Sequence, residues 1–155
     1  MAQNETIRVD LHGLDRRLLR AARQLEDYKT PLRRSETFME KSIGNRFRAA
    51  AWRPLSETTL RWHPHRVGGK PLNDVGTLRM SIESGGANKL SKKKLTIRSG
   101  LRKANLLHHG GWTKLGTYVP SRKFLYFNEF DARMIKRTFV DYIEEVADGV
   151  DPHQV

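Results

Sequence analysis

Four histidines in two clusters, His63-Pro64-His65 and His108-His109, are the residues whose types could ligate a transition metal through imidazole nitrogen. No carboxylate with ligand-like spacing accompanies His63 and His65, and no motif links the two clusters. Solvated or hydrogen-bonded histidines are therefore expected, with no metal and no other cofactor. Carboxylates offer no better chemistry. Glu129 and Asp131 flank Phe130 at a predicted helix start, where negative charge favours the helix dipole. Glu144-Glu145 reads as the solvated face of the last helix. The serines lack a G-x-S-x-G setting. Val67-Gly68-Gly69-Lys70 lacks the first glycine and the Ser/Thr of a phosphate-binding loop. The chain has no cysteine, which excludes a thiolate nucleophile, Cys-based zinc sites and disulfides. No catalytic residue is assigned, and the expectation is that the chain is not an enzyme.

The cations carry a firmer signal. Lys and Arg outnumber Asp and Glu by 29 to 17, a formal net charge of +12. A surplus of that size favours polyanionic partners, either nucleic acid or acidic faces of other subunits. Lys89, Lys92, Lys93, Lys94, Arg98, Arg102 and Lys103 fall within fifteen positions with no acidic residue between them. On an exposed hairpin they would face a polyanion, or they would guard a strand edge from unwanted pairing. No aromatic residue interleaves them to stack bases, so any nucleic-acid contact would be to the backbone and without sequence specificity. A second run, Arg16, Arg17, Arg20 and Arg23, falls largely off the apolar face of a predicted helix.

The elements that must position these residues follow from periodicity. Ile7 to Leu11 alternates as a half-buried strand. Leu14, Leu18, Leu19, Ala22 and Leu25 predict a first amphipathic helix. Thr30-Pro31 reads as cap and first residue of a second, with Leu32, Met39, Ile43, Phe47 and Ala50 on one face and its end near Ala51. Gly44 inside it costs roughly 1 kcal/mol relative to Ala, for which a close helix–helix or helix–sheet contact is one explanation. Trp52, at the exit before Pro54, reads as a core anchor beside Leu55. Ser56 should cap a short turn ending before Pro64. Residues 63–70 read as an exposed basic loop, with His63, His65, Arg66 and Lys70 as a candidate arm toward a neighbouring subunit. Asn73 to Gly76 is a turn, and Thr77 either caps a helix or starts a strand through Leu78. Residues 84–94 read as a second exposed loop, Leu95 to Ile97 as a strand, Leu101 to His109 as a short helix, Tyr118 to Pro120 as extended. Phe124 to Phe127 reads as a strand or buried run. The last helix is capped by Asn128 or Asp131 and carries Ile135, Phe139, Tyr142, Ile143 and Val146 on its apolar stripe.

The expected architecture is a single α+β domain spanning 1–155. Its antiparallel sheet packs against two N-terminal helices and a C-terminal amphipathic helix. Residues 1–5 and 150–155 are expected to be flexible. Neither a signal peptide nor a membrane-spanning run is expected.

Several stretches, taken in order, resemble the phage virion morphogenesis proteins, also described as tail completion proteins. They are Trp52-x-Pro54-Leu55-Ser56, then Pro71-Leu72 with Gly76-x-Leu78 leading to Ser81-Ile82, then His108-His109-x-Gly111, then Pro120-Ser121-Arg122-Lys123-Phe124-Leu125. The resemblance covers roughly residues 5 to 147. The chain departs from it at Ala104 to Leu107, where the family often has an aromatic-alanine pair, and at Tyr126-Phe127, where it often has glycine.

The resemblance implies a structural protein of the virion neck or tail end, assembled in the host cytoplasm. It implies a ring, commonly of six copies, that completes the tail and joins it to the head connector. Implied partners are other neck and tail proteins (connector or adaptor, tail tube or terminator) and genomic DNA, held without sequence specificity in the channel. No membrane partner is implied. The alternative reading is a basic, non-sequence-specific nucleic-acid-binding module.

Overall fold

The computed structural model describes residues 22–149. The expected first strand, the expected first helix up to residue 21 and both flexible ends lie outside those residues; residues 22–24 are helical.

The central element is α1, Lys29–Ala49. It starts one residue before the expected cap, and Thr30 lies inside its first turn. The Asp27 carboxylate accepts from the Lys29 amide at 3.0 Å, so an acceptor upstream does the work assigned to Thr30. Pro31 then sits where the helix needs no amide donor. The helix ends at Ala49, with Ala50 in the left-handed region at φ 48°.

Met39, Ile43 and Phe47 follow at four-residue spacing and form one buried stripe of α1. Against it pack Leu78 and Ile82 of α3 (Thr77–Glu83), Ala104 of α4 (Ala104–His109), and Phe124. Gly44 makes a close approach to α3: a Cβ there would collide with the Glu83 carboxylate at the end of that helix. Gly76, at φ 76°, caps α3, so Thr77 is its first residue and neither a cap nor a strand start.

Ser56 caps α2 (Glu57–Trp62), its hydroxyl accepting from the Thr59 amide at 3.2 Å. A 3-10 turn, Pro64–Arg66, follows. The last helix, α5 (Glu129–Ala147), is opened by Asn128 and Asp131, which exchange backbone bonds in a capping box. It lies along α1. The Tyr142 hydroxyl donates to the carbonyls of Gln24 and Asp27, and Arg34 Nη1 binds the Glu145 carboxylate at 2.8 Å. Tyr142 and Val146 are buried, Ile135 and Phe139 are half-buried, and Ile143 stands outside the stripe expected for it.

The α+β class is as expected, with all strand pairing antiparallel. Among the described residues the strands form two separate ribbons of two-residue strands, not one sheet. Strands β1 (Lys89–Leu90) and β2 (Leu95–Thr96) pair Lys89 with Thr96; β3 (Gly111–Trp112) and β4 (Tyr118–Val119) pair Gly111 with Val119. The exposed loop expected over 84–94 is interrupted by β1: residues 84–88 are irregular and partly exposed, and 91–94 form the exposed turn between β1 and β2. Asn88 pins the first of these segments to α1, donating to Glu36 at 2.8 Å and Glu40 at 3.0 Å. Burial and the neighbouring Glu36 raise the Glu40 pKa, partly offset by that amide bond.

Phe124 to Phe127 is not a strand, and of its four residues only Phe124 is fully buried; Tyr126 and Phe127 are 44% and 67% exposed. Side chains take the bonds a ladder would make. Arg46 Nη1 donates to the carbonyls of Phe124 and Tyr126 at 3.4 and 2.7 Å. The amides of Phe124 and Leu125 donate to His108 Nδ1 at 3.3 and 3.4 Å. With its backbone satisfied this way, the run needs no partner strand.

Candidate functional site, a cationic groove

The residues after α1 and the residues around α4 enclose a groove of about 1060 Å³. Leu55, Leu72, Leu78, Leu107 and Val119 are among its apolar lining, and Arg53, Arg66, Lys103 and Arg122 are its cations. Glu57 and Asp74 are its two carboxylates, and Asp74 already meets His65 at 3.3 Å and Arg66 at 3.5 Å.

Arg122 is the unusual member. It is 7% exposed, yet no described carboxylate pairs with it. Its guanidinium donates at 3.4 Å to the carbonyls of Arg53 and Pro54, and its amide donates to the Leu107 carbonyl at 3.0 Å. Burial, reinforced by the positive charges of Arg66 and Arg53, lowers its pKa. Two neutral carbonyls compensate a buried cation less well than a carboxylate would, so the groove favours an incoming anion.

His108 anchors the wall behind the groove. Its ring meets Phe124 edge-on at 5.0 Å, and its Nδ1 accepts backbone amides, so the proton of the neutral ring sits on Nε2. Burial, with help from His109 and Lys123, lowers its pKa below 6.5. The folded state therefore prefers the neutral ring. The resulting stability is complete above pH 6.5 and is lost as pH falls through the folded-state pKa. Urea midpoints should drop between pH 7.5 and pH 5. His108→Asn, which keeps an acceptor that does not titrate, should flatten that dependence.

Gly110 closes the same corner at φ 76° and ψ 176°, a region reserved for glycine. A Cβ there would lie 2.6 Å from the Ser121 amide nitrogen and 2.9 Å from the Val119 carbonyl oxygen. Gly110→Ala should cost about 2–3 kcal/mol, from backbone strain plus that collision. Chemical denaturation measures it directly, and an unchanged midpoint would contradict the geometry.

The structure places the expected site residues as follows. Trp52 is half-buried rather than fully buried, edge-on to Phe47 at 5.3 Å, and its Nε1 donates to the Lys123 carbonyl at 2.9 Å. Pro54 is exposed, and Leu55 lines the groove instead of entering the core. Leu72, at φ 60°, and Leu125 pack on the core, Leu78 and Phe124 lie within it, and Pro120 lines the groove.

The 63–70 loop is exposed but folded back. Lys70 Nζ donates to the Arg48 carbonyl at 2.6 Å, and His65 and Arg66 both reach Asp74. Lys89, Lys92, Lys93, Lys94, Arg98, Arg102 and Lys103 are all exposed, and none of them pairs with a described acidic residue. Arg98 Nε is occupied by the Ala87 carbonyl at 2.6 Å, and Lys103 lines the groove. His63 meets His65 at 5.8 Å and His108 meets His109 at 4.7 Å, but among the described residues no three metal-ligating side chains converge.

Sequence reasoning missed two things. It took Arg122 from a motif without seeing that it is a buried cation. It took Asp131 for a helix-dipole charge, whereas Asp131 is fully buried against Arg46 and Ser42. Arg46 and Asp131 lie 85 positions apart, and no periodicity links them.

No family model, curated protein or solved structure matches this chain.

Proposed function

We propose that this chain is a structural protein of the tailed-phage neck or tail end. It acts by assembling into a ring between tail and head connector, without catalysis. One observation carries the reading: the separated stretches that resemble tail completion proteins converge on a single region. Arg122 binds the carbonyls of Arg53 and Pro54, Trp52 binds the carbonyl of Lys123, and His108 holds the amides of Phe124 and Leu125. Gly76 and Leu78 complete the groove beside them. Motifs scattered over some seventy positions by chance have no reason to share one surface.

The chemistry is compatible with assembly. The groove has an apolar lining with a few fixed cations, which suits a polypeptide with acidic side chains. The basic ribbon of β1 and β2 would lie toward channel DNA or an acidic neighbour. Light scattering and negative-stain imaging of the purified protein test the reading, with annular oligomers as the expected result. A strictly monomeric chain, missing from otherwise complete tail particles, would overturn it.

The second reading, a nucleic-acid-binding module, draws on the seven exposed cations of 89–103. It requires duplex binding that weakens steeply with salt and falls when Lys92, Lys93 and Lys94 become alanine. Unchanged affinity in that triple variant removes the patch from consideration.

A further inference from the structure

The groove and the far end of α5 are complementary. Outside its buried stripe, α5 presents Val140 and Ile143, 42% and 45% exposed, on one face with Glu144 and Asp148. Neither Glu144 nor Asp148 pairs with a described cation. Their position is unfavourable within the monomer, because the last turn of α5 carries no basic residue and anions at a helix C-terminus oppose its dipole. The groove has the opposite character: apolar lining, Arg53 and Lys103 among its residues, and at Arg122 a buried guanidinium served, among the described residues, by carbonyls; of its two carboxylates, Asp74 is already engaged by His65 and Arg66. The α5 face offers carboxylates, and Arg53, Lys103 and Arg122 in the groove have no described acidic partner.

The two surfaces sit at opposite ends of the α1–α5 pair. Arg34, near the start of α1, binds Glu145 near the end of α5, whereas Arg46, near the end of α1, binds Asp131 at the start of α5. Twelve positions of helix separate those contacts, on the order of 18 Å of rise. The groove begins just beyond the Arg46 end, at Arg53. One chain therefore cannot dock its own α5 terminus into its own groove without unfolding, but a second copy can.

We infer that the groove is the socket for the C-terminal half of α5 from a second copy of this chain. Val140 and Ile143 cover the apolar lining, and Glu144 and Asp148 meet Arg53, Lys103 and Arg122. Such a contact is head-to-tail, the kind that closes into a ring when the rotation between copies permits. The inference rests on the ring reading and specifies the contact that would build it. The apolar lining favours this occupant over a DNA backbone, which would offer nothing to Leu55, Leu107 or Val119.

Reciprocal charge reversal tests it in the full chain. Arg53→Glu with Lys103→Glu alters the groove; Glu144→Arg with Asp148→Arg alters the helix. The helix pair places cations at a C-terminus, so its thermal stability should hold or rise, and lost assembly could not be blamed on unfolding. Each pair alone should weaken association by roughly tenfold or more, and all four together should restore it. Sedimentation across protein and salt concentrations provides the readout.

Rings that survive both pairs overturn this interface and leave the ring reading standing. Wild-type protein that stays monomeric at every concentration overturns the ring reading, and the interface with it. Groove variants that assemble normally but lose duplex-DNA binding would overturn the interface and assign the groove to nucleic acid.

Discussion

Asp131→Ala should lower folding stability by about 3–5 kcal/mol, the range for removing one partner of a buried ion pair. Asp131 is fully buried, and it accepts from Arg46, from the Ser42 hydroxyl at 2.6 Å and from the Asn128 amide at 3.1 Å. The Arg46 side chain is only 10% exposed, so removing the carboxylate strands a largely desolvated cation. Arg46 would keep the Tyr126 carbonyl at 2.7 Å and the Tyr126 ring at 4.0 Å, which solvate the charge without neutralising it. The variant also loses half of the box that starts α5. Urea unfolding followed by circular dichroism gives the measurement. Asp131→Asn should recover part of the loss, because it keeps the size and one acceptor. Arg46→Met with Asp131→Leu should cost less than the two single losses combined, since no charge is then stranded. A loss below about 1 kcal/mol in Asp131→Ala would mean the pair behaves like a solvated one.

Phe124→Ala should cost about 3–5 kcal/mol through the cavity it leaves. Phe124 is wholly buried between Phe47 of α1, at 5.6 Å, and His108 of α4, at 5.0 Å. It joins two parts of the fold that no extended sheet connects. The loss should therefore reach beyond the cavity. Trp52 holds the next carbonyl upstream, that of Lys123, and Arg122 stands one residue further on. The tryptophan emission should shift to the red before global unfolding, as this wall of the groove loosens. Phe124→Leu should cost less than about 1.5 kcal/mol if the surroundings repack, and it serves as the control for shape. An alanine variant as stable as wild type would mean that the 120–127 run is held by its polar bonds alone.

The helices were legible because each carries its own period. Met39, Ile43 and Phe47 at four-residue spacing, and Tyr142 with Val146, mark their buried faces without reference to the rest of the chain. Ser56 and Asn128 were legible as caps because a cap is a local bond between a side chain and an amide three positions on. Thr30 misled for the same local reason, as Asp27 nearby offered a competing acceptor. The run from Phe124 to Phe127 misled because apolar composition is shared by strands and by irregular segments. What separates them is where the backbone bonds go, and here they go to Arg46 and His108.

The sequence by itself determined the α+β class, the position and most of the buried face of the long helices, the net positive charge and the absence of cysteine chemistry. Each of these is a property of composition or of neighbours within a few positions. Only the tertiary structure decided that Arg122 is a buried cation in a groove, that Asp131 serves Arg46, and that the acidic end of α5 lies far from the groove. Those are relations between residues tens of positions apart, set by how helices pack, and a burial or a charge pairing does not exist until the chain has folded.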